Sequence, residues 1–309
     1  MYKVLIDNYD ITSYLKGSLK SIVYTEHATG KADSIEVSFE NNTGIWNLDW
    51  QPDKGQEIKA ILDKVSCGTM FIDEIEVDGP PDEITIKGIS IPLDAKELRT
   101  NTWQNTRLSQ IAEDISSRYG FKLIMDCYDH GYRMCQQVDK TDFDYLSELC
   151  YKEGIGLKLA DKQIVMYDKS RYWSKNEIRT INKSDVYRYN LKSCSDKVNY
   201  IGCNIRDVIG NIKYSYKKAD EGAMLNVVRD IESLAEAERY SKHFLAAVNG
   251  NETRGYIRLG YDIKLCAALN IGLSDFYSFD GKYMIVSAVH HYGKEPYTKL
   301  QVRGIKEVI

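Results

Sequence analysis

Apolar and polar residues alternate along most of the N-terminal third of the chain, which is typical of half-buried β-strands. The clearest case is SIEVSFEN, in which Ile35, Val37 and Phe39 alternate with polar neighbours. GQEIKAIL, TMFIDEIEV and DEITIKGIS continue the pattern, and the turn sequence DGPPD separates the last two. We therefore predict a β domain over residues 1–98.

The middle of the chain changes to a helical period. In LSQIAEDISSRYG, Leu108, Ile111 and Ile115 share one face, and Gly120 suits the position just after a helix end. FKLIM then predicts a strand, whereas CYDHGYRMCQQVDK is predicted to be a loop. These elements begin a small α/β module, which we assign to residues 99–175.

The segment TDFDYLSELCYKEGIGLKLADKQIVMYD is rich in acids, with a cysteine and a tyrosine near them, so it could be a catalytic cluster or a piece of architecture. Thr141 suits an N-cap, and Asp142 and Asp144 complement the dipole of the helix that follows. Gly154 is expected to end this helix before a hairpin formed by IGLKLA and QIVMYD. Cys150 falls on the apolar face, where core packing is favoured over a nucleophile. We therefore predict a structural role for this segment and not a catalytic one.

The last third returns to strands and contains one further helix. Ser233 and Glu236 form a capping box, which predicts a helix over about 233–249. Glu232, Glu236 and Glu238 are interpreted as a capped, solvated helix face and not as paired catalytic carboxylates. YIRLGYDIKLCAAL, DGKYMIVSAVHHYG and YTKLQVRGIKEVI are predicted to be strands.

Segments of the first domain recur in the same order in the last part of the chain. The matches are GQEIKAIL (55–62) with GYDIKLCA (260–267), MFIDEIEV (70–77) with YMIVSAVH (283–290), and EITIKGI (83–89) with KLQVRGI (299–305). Coincidence among β-rich sequences is the alternative explanation. The shared order favours a second, related β domain over residues 176–309, with the α/β module between the two. The predicted class is α+β, mainly β.

Composition narrows the class of protein. The 309 residues carry a formal charge of −4, which argues against specific nucleic-acid binding through a basic face. Neither a membrane-spanning apolar stretch nor a signal peptide is apparent, so no membrane insertion is expected. The seven cysteines are scattered and odd in number, which favours reduced thiols in a chain made in the cytoplasm.

Few clusters of residues suggest chemistry. Cys127, His130 and Cys135 are zinc-type ligands, but a structural site needs a fourth that no CxxC or HxxxH supplies, so an ordinary loop is preferred. His290 and His291 are adjacent in a strand and should point to opposite faces, which argues against a dyad. No GxSxG, P-loop, HExxH or dinucleotide motif occurs. We predict no enzyme, no metal and no cofactor.

Strand edges are candidate contact sites because their backbone N–H and C=O groups lack partners. Tyrosines also cluster where the second β domain begins, and tyrosine is enriched in interfaces, although half-buried strand positions are an equally good explanation. The candidate inter-subunit edge residues are Ile35, Val37, Phe39, Tyr200, Tyr214 and Tyr216.

Four pieces of the sequence resemble the late control protein D family, the baseplate hub proteins of contractile phage tails. Relatives of this family include phage-tail-like bacteriocins and the hub half of type VI secretion spikes. The pieces are LSQIAEDISSRYGFKL, QVDKTDFDYLSELCYKEGIGLKLADKQIVMYD, AEAERYSKHFLAAVNG and FDGKYMIVSAVHHYGKEPYTKLQVRGI. Thr141 stands where the family usually has serine, a conservative change for a cap, and the N-terminal domain matches in pattern only.

The resemblance implies a homotrimer in which two tube-like β-barrel domains per chain form a pseudo-sixfold ring. That ring would join a hexameric tail tube to a trimeric spike within a phage tail or a tail-like particle. The implied partners are the tail tube protein, the spike protein and baseplate wedge proteins, with the tape measure protein as a further candidate. The alternatives are a cell-wall hydrolase or glycan-binding tail component, and the hub of a long non-contractile tail.

Overall fold

The computed structural model describes residues 1–41, 51–193, 200–250 and 252–305, and these ranges are mainly β. The α+β, mainly β class predicted from the alternation is confirmed. The strands are β1 (Tyr2–Ile6), β2 (Tyr9–Asp10), β3 (Leu19–His27), β4 (Ser34–Glu40), β5 (Glu57–Leu62), β6 (Val65–Asp78), β7 (Glu83–Ile89), β8 (Arg99–Arg107), β9 (Lys122–Asp126), β10 (Gly131–Lys140), β11 (Ile155–Ala160), β12 (Gln163–Asp168), β13 (Thr180–Asn182), β14 (Val186–Ser193), β15 (Gly202–Arg206), β16 (Lys213–Lys217), β17 (Met224–Val228), β18 (Thr253–Gly260), β19 (Asn270–Ser274), β20 (Gly281–Gly293) and β21 (Tyr297–Gly304). The α-helices are α1 (Leu108–Arg118), α2 (Asp142–Lys152), α3 (Lys169–Ser174) and α4 (Leu234–Asn249).

A first group of strands, the first unit, pairs in the order β3–β4–β7–β6–β5–β1, and every pair is antiparallel. Alternation buries one face of these strands. Ile22, Val37, Ile58 and Ile86 are all fully buried in the same apolar core. The period-2 pattern of the N-terminal third therefore predicts the inward-facing residues correctly.

A second group, the second unit, pairs in the equivalent order β14–β18–β21–β20–β19–β13. The irregularities recur as well. The bulge between Leu19 and Ser21 in β3 returns between Val186 and Arg188 in β14. The bulge that follows Ile72 in β6 returns after Ile285 in β20. One departure is that β13 runs parallel to β19, whereas β1 is antiparallel to β5.

Matching the paired residues of the two units gives a residue-by-residue correspondence. It superposes β6 on β20 as the sequence comparison predicts, with Met70 equivalent to Tyr283. The match of 55–62 with 260–267 is wrong, because residues after Gly260 leave β18 in a turn and the true counterpart of β5 is β19. The match of β7 with β21 is displaced by two positions, so Gly88 corresponds to Val302. A slip of two leaves the buried face unchanged, which is why sequence periodicity does not detect it.

The middle of the chain packs α1 and α2 with the sheet β11–β12–β9 around its own core. The segment predicted as a loop from Cys127 to Lys140 is corrected in part, because its last ten residues form β10, which pairs with β8. Neither strand has an apolar alternation, since the positions they bury include Thr106 and Gln137. Polar buried positions conceal a strand from hydrophobic patterning.

The acidic segment has the architecture predicted for it. The Thr141 hydroxyl accepts the N–H of Asp144 at 3.1 Å and so begins α2. Gly154 has a φ of +71° just beyond the helix end, and the β11–β12 hairpin follows. Asp142 lies in the first turn, as predicted, and its side chain is fully buried and paired with Arg118. It anchors α2 to α1.

The connection between β14 and β18 is much longer than the equivalent connection between β3 and β4. It holds the sheet β16–β15–β17, which packs with α4 around a small core. The Ser233 hydroxyl accepts the N–H of Glu236 at 3.2 Å, as predicted. The Glu236 side chain is buried and accepts the N–H of Glu232 at 2.8 Å, so the expectation that it is solvated is wrong. Among the described residues, no helix combines the length and apolarity that crossing a membrane requires.

Candidate subunit interface

The first predicted edge lies inside a sheet. β4 pairs with β3 on one side and with β7 on the other. Ile35, Val37 and Phe39 are no more than 6% exposed and belong to the core of the first unit. These residues therefore offer no free backbone edge. Alternation identifies the strand but does not reveal which strands flank it.

The tyrosine candidates divide into two cases. The backbone N–H and C=O of Tyr200 are both bonded to the side chain of Asn249, at 3.1 and 2.8 Å. Tyr214 and Tyr216 lie half-buried on β16, at the edge of its three-stranded sheet, and the Lys242 ammonium lies 5.5 Å from the ring centre of Tyr216. Their role in a subunit contact stays a prediction.

Other strand edges also lack a partner within the described chain, and two of them lie on β14 and β6. β14 pairs only with β18, and Tyr187 and Tyr189 on it are 73% and 38% exposed. In β6, pairing with β5 ends at Phe71, so Glu74–Asp78 pairs only with β7. We call Glu74–Asp78 the outer half of β6. Tyr187 and Tyr189 belong to the tyrosine cluster noted at the start of the second β domain, but local sequence does not show that either strand has a free edge, because both edges follow from long-range pairing.

The two units meet inside the chain through one strand pair. Ser287–Gly293 of β20 pairs antiparallel with Ser21–His27 of β3. At this junction His290 is fully buried and its ring stacks on Tyr24 with centres 5.9 Å apart. The next residue, His291, instead stacks on Tyr297. The two histidines thus occupy different environments, as their adjacency in a strand predicts.

The middle module is fastened to the first unit by a buried ion cluster. The Lys158 ammonium lies 3.1 Å from Glu26 and 2.9 Å from Asp33, whose side chains are 5% and 1% exposed. Burial raises the pKa of Asp33 to about 6. Burial also acts to raise the pKa of Glu26, but His290 and Lys158 outweigh it and hold that pKa below its usual value. Beside the cluster, the Tyr167 hydroxyl donates to the carbonyl of Ala28 at 2.7 Å.

A cleft of about 1310 Å³ lies where the module, α4 and the second unit meet. No carboxylate side chain occurs among the described residues that line it. Burial lowers the pKa of Lys169 to about 8, and the Arg303 guanidinium lies 4.8 Å from the ring centre of Trp173. The cations in the lining are Lys169, Lys192, Lys218, Lys242, Arg254, Lys282 and Arg303. The described lining is therefore basic and holds no carboxylate, although Lys242 pairs with Glu238 outside the cleft at 2.7 Å.

Comparison with solved structures relates the fold to tail proteins. A tail protein from Neisseria meningitidis MC58 superposes with a TM-score of 0.76 at 13% identity, over 98% of this chain and 96% of the other. The 43 kDa tail protein of prophage MuSo2 from Shewanella oneidensis gives 0.77 at 13% identity, over 97% of each. The chain has the fold of these tail proteins.

A third structure with this fold comes from a secretion system. The Escherichia coli c3393 protein superposes with a TM-score of 0.64 at 11% identity, over 98% of this chain and 77% of the other. It is described as a component of the type VI secretion system that exhibits structural similarity to the bacteriophage T4 tail proteins gp27 and gp5. No family model and no curated protein matches the sequence. The identities are low, so the likeness establishes the tail-protein fold alone.

Within this tail-protein fold, the residues that the sequence offers as metal ligands or nucleophiles take part in ion pairs and core packing. His130 lies 3.4 Å from buried Glu153, which also accepts from Arg239 at 2.9 Å and so links the module to α4. Cys135 and Cys150 are buried in the module core, and burial raises the pKa of both thiols. No group of three potential metal ligands occurs in the described ranges. The cysteines are free thiols, with Cys194 outside the described residues.

Proposed function

We propose that this chain is the trimeric hub of a contractile tail or injection machine, of the late control protein D type. The observation that carries the proposal is the repetition of one strand order, with its bulges, in the two units of a single chain. Three chains with two equivalent units each present six similar positions around an axis. A threefold assembly can then match a sixfold neighbour, because closed symmetry needs only equivalent contacts.

The fold and its relatives support this function. Structures with the same fold include phage tail proteins and a type VI secretion component, so a tail role suits the architecture. In the proposal, residues 1–98 and 176–309 are tube-like β-barrel domains, and residues 99–175 project from them to contact the spike or the surrounding baseplate. The partners are the tail tube protein, the spike protein and wedge proteins, with the tape measure protein a further candidate. The role is structural, in a particle assembled in the bacterial cytoplasm.

Light scattering coupled to gel filtration tests the proposal directly. The chain should be measured alone and after co-expression with the spike protein of its own gene cluster. We expect a species of three times the 35.4 kDa chain mass, with added spike mass in the complex. Averaged electron micrographs of it should show a ring with six lobes. A strict monomer in the presence of the spike would contradict the hub function, and a cleared band in peptidoglycan zymography would favour a hydrolase.

A further inference from the structure

The junction between the two units inside one chain is a template for a contact between chains. β20 forms one side of this junction and β3 forms the other. The correspondence between the units equates β20 with β6 and β3 with β14. Each chain thus contains one more strand equivalent to β20, which is β6, and one more equivalent to β3, which is β14. In the described residues β6 and β14 do not pair with each other. They are the free edges, the outer half of β6 and β14.

We propose that β14 of one chain pairs antiparallel with the outer half of β6 of the next chain, in the register of the β20–β3 junction. This deepens the proposed hub function and rests on it. In the junction, Val289 pairs with Thr25, His290 with Tyr24 and His291 with Val23. Replacing each β20 residue by its counterpart in β6, and each β3 residue by its counterpart in β14, gives the pairs expected between chains. They are Glu76 opposite Lys192, Val77 opposite Leu191, and Asp78 opposite Asn190.

Apolar residues support this register on one face of the strand pair. Val77 is 58% exposed in the single chain, whereas its counterpart His290 is fully buried against Tyr24. The difference arises because His290 has its partner strand and Val77 does not. The proposed pairing places Leu191, the counterpart of Tyr24, opposite Val77. Directly opposed apolar side chains are a main source of sheet stability.

Charge supports the same register on the other face. Glu74, Glu76 and Asp78 are exposed and share one face of β6, since they alternate along the strand. Asn190 and Lys192 share one face of β14 and line the basic cleft, which has no carboxylate among its described residues. The next chain would therefore bring its acids to the rim of a basic surface. Complementary charge across an interface favours the correct partner and register.

Paired cysteines test the register. In the full-length chain co-expressed with its spike, Glu76→Cys combined with Lys192→Cys should give disulfide-linked dimers and trimers under mild oxidation. Glu74→Cys with Lys192→Cys is the matched off-register control, because diagonal strand positions lie about 7–8 Å apart and exceed ordinary disulfide geometry. Each single variant controls for the native thiols. All the altered residues are exposed, so folding should be unaffected, which circular dichroism checks.

The outcomes separate the register from the hub function. At least about tenfold more cross-linking in the matched pair than in the off-register pair is expected, since disulfide formation depends steeply on geometry. Equal cross-linking of the two pairs in a particle that is trimeric by light scattering overturns the register and leaves the hub function standing. A chain that stays monomeric with its spike overturns both.

Charge reversal supplies a second readout that needs no cysteine. Glu76→Lys or Lys192→Glu alone should weaken trimer formation by about tenfold, because like charges directly opposite each other destabilise strand pairing at all three contacts. The two reversals together should restore it. Lys213→Glu, on the exposed edge strand that carries Tyr214 and Tyr216, is the control and should have no effect. Disruption by Lys213→Glu without disruption by Glu76→Lys would move the interface to β16 and overturn the proposal.

Discussion

The middle module presents a half-buried lysine to each of the two units, and the two lysines have opposite surroundings. Lys158 faces the first unit and has carboxylates of Glu26 and Asp33 within 3.1 Å. Lys169 faces the cleft beside the second unit, where no carboxylate lines the described surface. The Lys169 ammonium lies 5.4 Å from the ring centre of Tyr151.

This difference indicates which contacts of the module are complete within one chain. A buried charge is costly unless it is paired, so the Lys158 cluster has the features of a permanent contact. Lys169 packs near the Tyr151 ring, but no carboxylate in the described lining of the cleft balances its charge. We infer that the module is fixed to the first unit by the fold itself, while the basic cleft is available for negative charge from another molecule.

The largest expected effect comes from removing the paired lysine. Lys158→Met leaves two buried carboxylates without their cation, and breaking a buried pair in this way costs about 3–5 kcal/mol. We expect that loss in the free energy of unfolding, measured by chemical denaturation at pH 7. Lys122→Met, at an exposed position of the same module, is the control and should change little.

The loss of stability caused by Lys158→Met should be smaller at low pH than at pH 7. Burial raises the folded-state pKa of Asp33 from 3.8 to about 6, so its ionised form opposes folding as pH rises through that window. Without Lys158 the pKa of Asp33 should rise further, and the pKa of Glu26 should rise from its lowered value. The variant should therefore approach the wild type in stability as pH falls through 6 and then below 4.5, and a loss that grows on acidification would contradict this account.

The unpaired lysine should behave in the opposite way. Lys169→Met removes a charge that burial disfavours, and we expect the free energy of unfolding to increase by about 2 kcal/mol at pH 7, less than the full shift because the side chain is partly exposed. The folded-state pKa is lowered from 10.5 to about 8, so the penalty is complete below pH 8 and absent above pH 10.5. Denaturation curves from pH 7 to 10.5 should show the gain disappearing.

A matched substitution separates this effect from general hydrophobic stabilisation. Lys218 lines the same cleft but is exposed, so Lys218→Met should leave stability nearly unchanged. A gain that is equal for both variants, or that persists at high pH, would mean that buried charge is not the cause. A loss of stability in Lys169→Met would show that its contact with Tyr151 outweighs the burial of the charge.

Much of the fold follows from local patterns in the sequence. Alternation predicts β4 to β7, helical spacing predicts α1, and Thr141 and Ser233 predict where α2 and α4 begin. Patterns fail where buried positions are polar, as in β8 and β10, and where a turn keeps the alternation of its neighbours, as after Gly260. Local periodicity reports which side of a strand is buried and is silent about the partner strand.

For the interface, local sequence reveals the repeated strands but not the free edges. The repeat was detectable from the match of β6 with β20, and that match supplies the register now proposed. The edges themselves were not detectable, because Ile35 in an interior strand and Val77 at a free edge have the same alternating pattern. Buried Glu236 was expected on the surface for a related reason. Its carboxylate is satisfied by the backbone N–H of Glu232, a bond that side-chain patterning does not reveal.

The smallest expected effect tests whether the two contacts of the middle module with the first unit, at Lys158 and at Tyr167, depend on each other. Tyr167→Phe removes the hydroxyl that donates to the carbonyl of Ala28 and should cost about 1 kcal/mol, the usual net value of such a hydrogen bond. Tyr128→Phe, at a 73% exposed position, is the control and should be neutral. Combining Tyr167→Phe with Lys158→Met completes a double-mutant cycle. If the module separates from the first unit once Lys158 is lost, the tyrosine substitution will cost almost nothing in that background, whereas additive losses would show that the two contacts hold independently.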